Sequence, residues 1–295
     1  MAQFKTVLVA GGFGRLGKFI IDEFVANGTY NVKILSRPSS LTERISVIEK
    51  YKAVGVEVVA VEYTDHAGLV KILKGVDVVV STVSIEAVYD EQIVLIKASV
   101  EAGVKRFIPS DFGSDHERVK HPFIVPKVRI AEHLRAHKTL EHTIFYTNYW
   151  TDTTLQFAGW DLDAHKAIVI GDGNDKFTLT HRRDIAKFVV ASLKNPKARN
   201  AVHGTASEVV TWNEIIRSAE KHSGHKFEVT YRSLSEVEEQ LKITKESAFE
   251  TARDELFSLP PRGQGVIVEN VKEEYPEIKT ITIDEYLREY YANKP

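Results

Sequence analysis

Three groups of residues in this chain have types and spacings that could do chemistry. The first lies in Leu8-Val9-Ala10-Gly11-Gly12-Phe13-Gly14-Arg15-Leu16-Gly17, where Gly11, Gly14 and Gly17 recur at every third position between a strand-like run and a helical one. Each glycine answers a separate physical need: a tight turn, close approach of bare backbone to a diphosphate, and close packing of helix on strand. The amides of the helix start, around Arg15 and Leu16, would then face the phosphates. The second group is Leu35-Ser36-Arg37-Pro38-Ser39-Ser40, at the end of the second strand-like run. An NAD site would offer a carboxylate there, whereas the Arg37 guanidinium can clasp a 2'-phosphate and stack on adenine, so NADPH is the expected cofactor. The third is Lys127, just inside a helix opened by Pro126. Partial burial beside a cationic nicotinamide lowers an ammonium pKa, so such a lysine can act as general acid or base while the nicotinamide delivers hydride.

Other positions fall on the carboxyl edge of the strands, where this class of sheet binds its ligand. Asp65 follows the third strand and Ser81-Thr82-Val83-Ser84 the fourth, and these are expected to contour the adenine and ribose site. Asn148, Tyr149 and Trp150 follow the sixth and are expected beside nicotinamide and substrate, the two aromatic rings equally suiting a core, with Phe112 and Phe123 as pocket walls.

Several patterns are set aside. Gly12 to Lys18 spells the start of a nucleoside-triphosphate loop, but Phe19 offers no oxygen for magnesium. The Tyr-x-x-x-Lys pairs Tyr275/Lys279 and Tyr290/Lys294 lie far from the expected helix. His133 and His137 have helical metal spacing without an accompanying carboxylate motif, so no metal is assigned. Asp184 reads as a cap or a buried structural partner, and the acidic run at 236–239 as an exposed helix face.

The elements that must position these groups alternate through the first half. Strands are expected at 5–10, 32–36, 57–62, 77–81, 106–109 and 143–146, and helices at 16–25, 41–54, 67–73, 93–102 and 128–137. Gly28, Gly55, Gly75 and Gly103 stand where left-handed helix ends are easiest. Right-handed crossovers between parallel strands then give an α/β, Rossmann-type doubly wound sheet. Beyond Trp150 the pattern becomes α+β: a strand at 167–170, a turn at 171–174, and helices at 184–193, 211–222, 235–241, 246–257 and 284–291, with Thr211 and Asp284 as N-caps. The expected division is a dinucleotide-binding domain at 1–150, joined by the helix near 184–194, and a smaller substrate-binding region at 151–295.

Composition narrows the function classes. The 295 residues carry 39 Lys and Arg against 41 Asp and Glu, a net charge of −2, so no overall field attracts nucleic acid or an anionic membrane. The absence of cysteine excludes disulfides, thiolate metal sites and thiol nucleophiles. No basic-then-apolar leader opens the sequence and no apolar run could span a bilayer, so a cytoplasmic monomer or homodimer acting on a small molecule is expected.

Val104-Lys105-Arg106-Phe107-Ile108-Pro109-Ser110-Asp111-Phe112-Gly113 resembles the Val-Lys-Arg-Phe-x-Pro-Ser-Glu-Phe-Gly signature of the isoflavone reductase-like family. That family belongs to the NmrA-like, atypical short-chain dehydrogenases, with phenylcoumaran benzylic ether and pinoresinol-lariciresinol reductases among its members. With the glycine loop, Arg37 and Lys127, the similarity spans about the first 160 residues and continues more weakly to the C-terminus. It implies an NADPH-dependent reductase of an aromatic or conjugated carbonyl-type substrate. A helix lysine, matched here by Lys127, would replace the usual tyrosine and lysine pair, with Ser110 and Phe112 on the cofactor side. Asp111 stands where the family has Glu, and Arg129-Ile130 where it has Arg-Arg. A non-catalytic NADP(H) sensor acting through a protein partner, as in the regulatory NmrA proteins, stays open as the second reading.

Overall fold

The computed structural model describes residues 4–116, 118–119, 124–243 and 248–294. Strands and helices alternate from the start: β1 Thr6–Ala10, α1 Gly17–Asn27, β2 Asn31–Ser36, α2 Ile45–Ala53, β3 Glu57–Ala60, α3 His66–Leu73, β4 Val78–Ser81, α4 Asp90–Ala102, β5 Arg106–Ile108, α5 Val125–Ala136 and β6 Glu141–Tyr146. Then come β7 Tyr149–Trp150, α6 Thr151–Phe157, β8 Lys166–Ile170, β9 Phe177–Thr180, α7 Arg182–Ser192, β10 Ala201–Gly204, β11 Glu208–Val210, α8 Trp212–Ser223, β12 Glu228–Arg232, α9 Leu234–Ile243, α10 Ala248–Phe257 and α11 Ile283–Ala292.

The chain divides into two units, each drawn from three segments. The first holds Met1–Phe112, Val125–Phe145 and Ile185–His203, and the second Gly113–Ile124, Tyr146–Asp184 and Gly204–Pro295. Residues 113–124 and 146–150 go to the second unit, and most of α7 with nearly all of β10 goes to the first.

In the first unit a seven-stranded sheet runs in the order β10-β6-β5-β4-β1-β2-β3. β1 pairs in parallel with β2 and β4, and β2–β3, β4–β5 and β5–β6 are parallel too. Parallel strands are covered on both faces, so β1 reads Thr-Val-Leu-Val-Ala and β4 Val-Val-Val-Ser, near-continuous apolar runs that are buried almost throughout. The order reverses between β1 and β4, and a doubly wound sheet binds its ligand at such a switch point. Gly28 and Gly103 close α1 and α4 in the left-handed conformation; Gly55 and Gly75 also have positive φ but lie one residue beyond the caps of α2 and α3.

The second unit carries two small sheets, β11-β9-β7 and β12-β8. Its core gathers Trp160, Trp212, Phe177, Tyr149 and Phe257, with Trp212 and Phe177 ring centroids 4.6 Å apart. Thr211 forms a capping box with Glu214 at the start of α8. The cap of α11 is Thr282, paired with Glu285, and not Asp284. Thr282 meets the capping-box spacing, while the Asp284 carboxylate turns to α8 and accepts from Ser218 Oγ at 2.8 Å. Among the described residues, no helix is long and apolar enough to cross a membrane.

Candidate active site in the first unit

The glycine loop leaves β1 and is held by β4's exit. Thr82 Oγ1 and Thr82 N both donate to the Ala10 carbonyl at 2.8 Å. Gly11 has φ +76, and a Cβ there would stand 2.7 Å from the Thr82 carbonyl oxygen. At Gly17 a Cβ would come within 2.7 Å of the Gly12 Cα, closing the helix on the loop. Gly14 differs: its Cβ would meet the Gly11 carbonyl oxygen at 3.0 Å and nothing else nearer than 3.9 Å. Two glycines are thus consumed by the protein's own packing, and the third leaves room for an outside group. Gly12 adds a packing glycine not marked by the spacing, since a Cβ there would strike the Ile21 side chain of α1. Among the described residues, the amides of Phe13, Leu16 and Gly17 donate to no backbone carbonyl outside α1. Unspent donors at a helix start are what a diphosphate requires, so the loop fits a dinucleotide.

Arg37 sits just beyond β2, more than half exposed, with a guanidinium nitrogen 3.7 Å from Glu91 at the start of α4. Burial pushes the Glu91 carboxyl up, while Arg37 pulls it down and Glu62 adds to the rise. Tyr63 is buried in the same neighbourhood, its phenol pushed up by burial and by Glu91. A second guanidinium escaped the sequence reading. Arg44 Nη1 donates to the Phe13 carbonyl at 3.2 Å, and its guanidinium carbon lies 5.7 Å from the Phe13 ring centroid. Its position within an expected helix at 41–54 hid it; in the structure it precedes α2 and reaches back over the glycine loop.

The Lys127 side chain of α5 is part-buried, and Nζ donates to the Asp111 carbonyl at 2.5 Å. Burial holds the ammonium below the usual lysine range, with the Asp111 carboxylate pulling the other way. The loop supplying that carbonyl is itself tied down. Asp111 N donates to the Pro109 carbonyl, Ser110 Oγ donates to the Val83 carbonyl at 2.8 Å, and Ser110 N donates to Gln92 Oε1 at 2.6 Å. Phe112 follows at φ 34, its ring stacked on Phe145. Contacts therefore run without a break from Gly11 through Thr82 and Val83 to Ser110, Asp111 and Lys127.

The other expected residues have the following surroundings. Asp65 caps α3, accepting from Gly68 N at 2.9 Å. Ser81 is fully buried, its hydroxyl without a hydrogen-bond partner among the described residues. Leu16 is buried just ahead of α1 and Arg15 is exposed. Asn148 belongs to the second unit with φ 52, and Nδ2 donates to the Gly265 carbonyl at 2.5 Å. Tyr149 lies in that unit's core, its hydroxyl donating to the Leu256 carbonyl and its ring stacked on Phe257. Phe123 lies outside the described residues. Among the described residues no group of three or more His, Asp or Glu could hold a metal ion.

Residues 3–287 match the model of the NmrA-like family. The chain belongs to the NmrA-like family. Within it, this NmrA-like protein is similar to an isoflavone reductase homolog of Solanum tuberosum, 30% identical over 314 residues that cover 98% of this chain and all of that one. The phenylcoumaran benzylic ether reductase Pyrc5 of Pyrus communis is 29% identical over 313 residues, with 98% and 100% coverage. A solved structure of AtPrR2 with NADP+ and (+)pinoresinol is 26% identical with a TM-score of 0.86, covering 98% of this chain and 100% of that one.

Proposed function

We propose that this NmrA-like protein is an NADPH-dependent reductase of a small aromatic or conjugated carbonyl-type molecule, phenylpropanoid-like or quinone-like, with Lys127 as general acid or base. The observation that carries the reading is the unbroken run of contacts from the Gly11 loop to Lys127 Nζ, which joins a dinucleotide cradle to an amine of lowered pKa within one unit. The reductases among its relatives, and the NADP+ in the AtPrR2 structure, support the same class of reaction and cofactor.

Each residue then has a task. The loop amides hold the diphosphate, and Arg37, aided by Arg44 from over the loop, holds the 2'-phosphate. Thr82, Val83, Ser110 and Phe112 line the way from loop to lysine. Asp65 and Ser81 are assigned to the ribose side and Asn148 to the nicotinamide side; the ring of Tyr149 is occupied in the core, which leaves its backbone for any cofactor contact. NADPH, when bound, supplies hydride to the substrate carbon. Lys127 supplies the accompanying proton to a carbonyl or enolate oxygen, or in the reverse sense takes one from a phenol. Its lowered pKa eases release of that proton, and the Asp111 carbonyl holds the ammonium in place until it leaves. Residues 151–295, apart from Ile185–His203, are assigned to substrate recognition. The reaction is placed in the cytoplasm, on a monomer or homodimer with no nucleic-acid or membrane partner.

The test follows NADPH consumption against a panel of enones, quinones and phenylpropanoids, comparing the wild-type protein with Lys127→Met and titrating NADPH into both. Retained binding with turnover reduced by roughly 10²- to 10⁴-fold is expected for loss of a general acid. Equal turnover in the two proteins would remove the catalytic role of Lys127, and NADPH binding with no turnover on any of the substrates would leave a dinucleotide sensor as the better reading.

A further inference from the structure

We infer that Gln92 is the positioning residue for Lys127: its buried carboxamide fixes the Ser110 peptide and, through it, the Asp111 carbonyl that receives the lysine ammonium. The inference rests on the proposed role of Lys127 only for its effect on turnover; the geometric claim stands on contacts within the first unit.

Gln92 lies in the first turn of α4 and is fully buried. A long polar side chain is seldom buried so completely, and each of its polar atoms then needs a partner. Both have one. Nε2 donates to the Val88 carbonyl at 2.7 Å, and Oε1 accepts from Ser110 N at 2.6 Å. An uncharged primary amide gives and takes at once from one planar group. A carboxylate would be buried without a countercharge, and an apolar side chain would leave the Ser110 amide unpartnered.

The need arises from the sheet. β5 ends at Ile108, paired with Val80 of β4, so ladder hydrogen bonding has stopped by Ser110. The Gln92 oxygen takes the place of the missing strand partner. From there the chain has little freedom. Ser110 Oγ is tethered to Val83, Asp111 N closes onto the Pro109 carbonyl, and Phe112 holds a positive φ that a residue with a Cβ seldom adopts. These constraints converge on one peptide unit, whose oxygen faces Lys127 Nζ. Loosening the Ser110 anchor would let that oxygen swing and the ammonium move toward water.

The experiment reads Lys127 without turnover. Trace labelling with acetic anhydride across a pH series, followed by peptide mass spectrometry, gives the pH midpoint at which Lys127 becomes reactive. Gln92→Met keeps the volume and removes both hydrogen-bonding atoms; Gln92→Asn keeps the amide but cannot reach Val88 and Ser110 together, and provides the readout should the methionine variant not fold. The midpoint is expected to rise by about one pH unit toward that of an ordinary lysine. NADPH affinity should stay within about threefold while kcat falls by roughly tenfold or more, because the displacement affects alignment rather than binding. An unshifted Lys127 midpoint in a folded Gln92 variant overturns the positioning role whatever happens to turnover. A shifted midpoint with full turnover in both Gln92→Met and Lys127→Met upholds the positioning role and removes the proton-transfer reading instead.

Discussion

Lys127 Nζ donates to the backbone carbonyl of Asp111 at 2.5 Å, while the Asp111 carboxylate only partly offsets what burial does to the ammonium. The lysine is thus held by a neutral oxygen, and its net shift is downward. That sign has consequences for rate and for stability.

For rate, a proton donor must be protonated. The kcat profile should lose activity on its alkaline side below the ordinary lysine value of about 10.4, and Lys127→Met should abolish that limb along with most of the turnover. A profile whose alkaline limb persists unchanged in the variant's residual activity would assign it to another group.

For stability, the unfolded chain holds the Lys127 proton more tightly than the folded one. Stability should therefore rise with pH between the lowered folded-state value and the unfolded value, and the penalty is fully present below both. At neutral pH Lys127→Met should melt higher than wild type, the usual sense for removing a buried charge kept for function. Differential scanning calorimetry at pH 7 decides it, and a lower Tm would count against the assignment of burial as the dominant influence.

The glycines should separate folding from binding. Gly11→Ala and Gly17→Ala place a Cβ against backbone atoms and should each cost ~1–3 kcal/mol of stability as well as NADPH affinity. Gly14→Ala has only the Gly11 carbonyl oxygen to negotiate, at 3.0 Å, and should keep most of its stability while losing NADPH. Parallel melting curves and fluorescence titrations make the comparison, and equal destabilisation at all three positions would contradict it.

Cofactor choice should follow the guanidinium groups. Arg37→Ala should weaken NADPH by about 10- to 100-fold with little effect on NADH, a loss of roughly 1.4–2.8 kcal/mol in charge-assisted hydrogen bonding. Arg44→Ala should weaken NADPH less, because that side chain also serves the Phe13 carbonyl. Calorimetric titration with both dinucleotides checks this, and an unchanged preference in both variants would place the phosphate elsewhere.

In the second unit, Asp284 is pulled down to about 2, chiefly by Ser218 Oγ, with His222 and Lys221 adding hydrogen bonds. A depressed carboxyl contributes stability that is present above its unfolded value near 4 and is lost as pH falls through its folded value. Its side chain is 44% exposed, so solvent screening limits the contribution to under about 1 kcal/mol. Asp284→Asn should flatten the acid-side fall in Tm between those two values without altering NADPH binding.

What the sequence disclosed and what it hid divide by range. The glycine loop, Arg37 and the alternation of β1 to β6 with α1 to α5 depend on spacing within a few residues, so they were legible. Gln92 was not, because its partner Ser110 is 18 positions away and a glutamine in a helix ordinarily faces water. For Tyr149 the sequence left pocket and core both open, and its hydrogen bond to the Leu256 carbonyl, 107 positions on, lies beyond any local pattern. Strands β9 to β12 have three to five residues each, too short for a period to declare itself, and they are defined by tertiary pairing. The cap of α11 was misread by two positions, although Thr282 and Glu285 carry the three-residue interval that identifies such a cap.

Because the chain alternates between its two units in six stretches, no single splice can exchange one of them for a foreign counterpart. Replacing the second unit would need five junctions to be met at once. Changes to the second unit are thereby steered toward point replacements and loop alterations made in place, alongside the strands of the first.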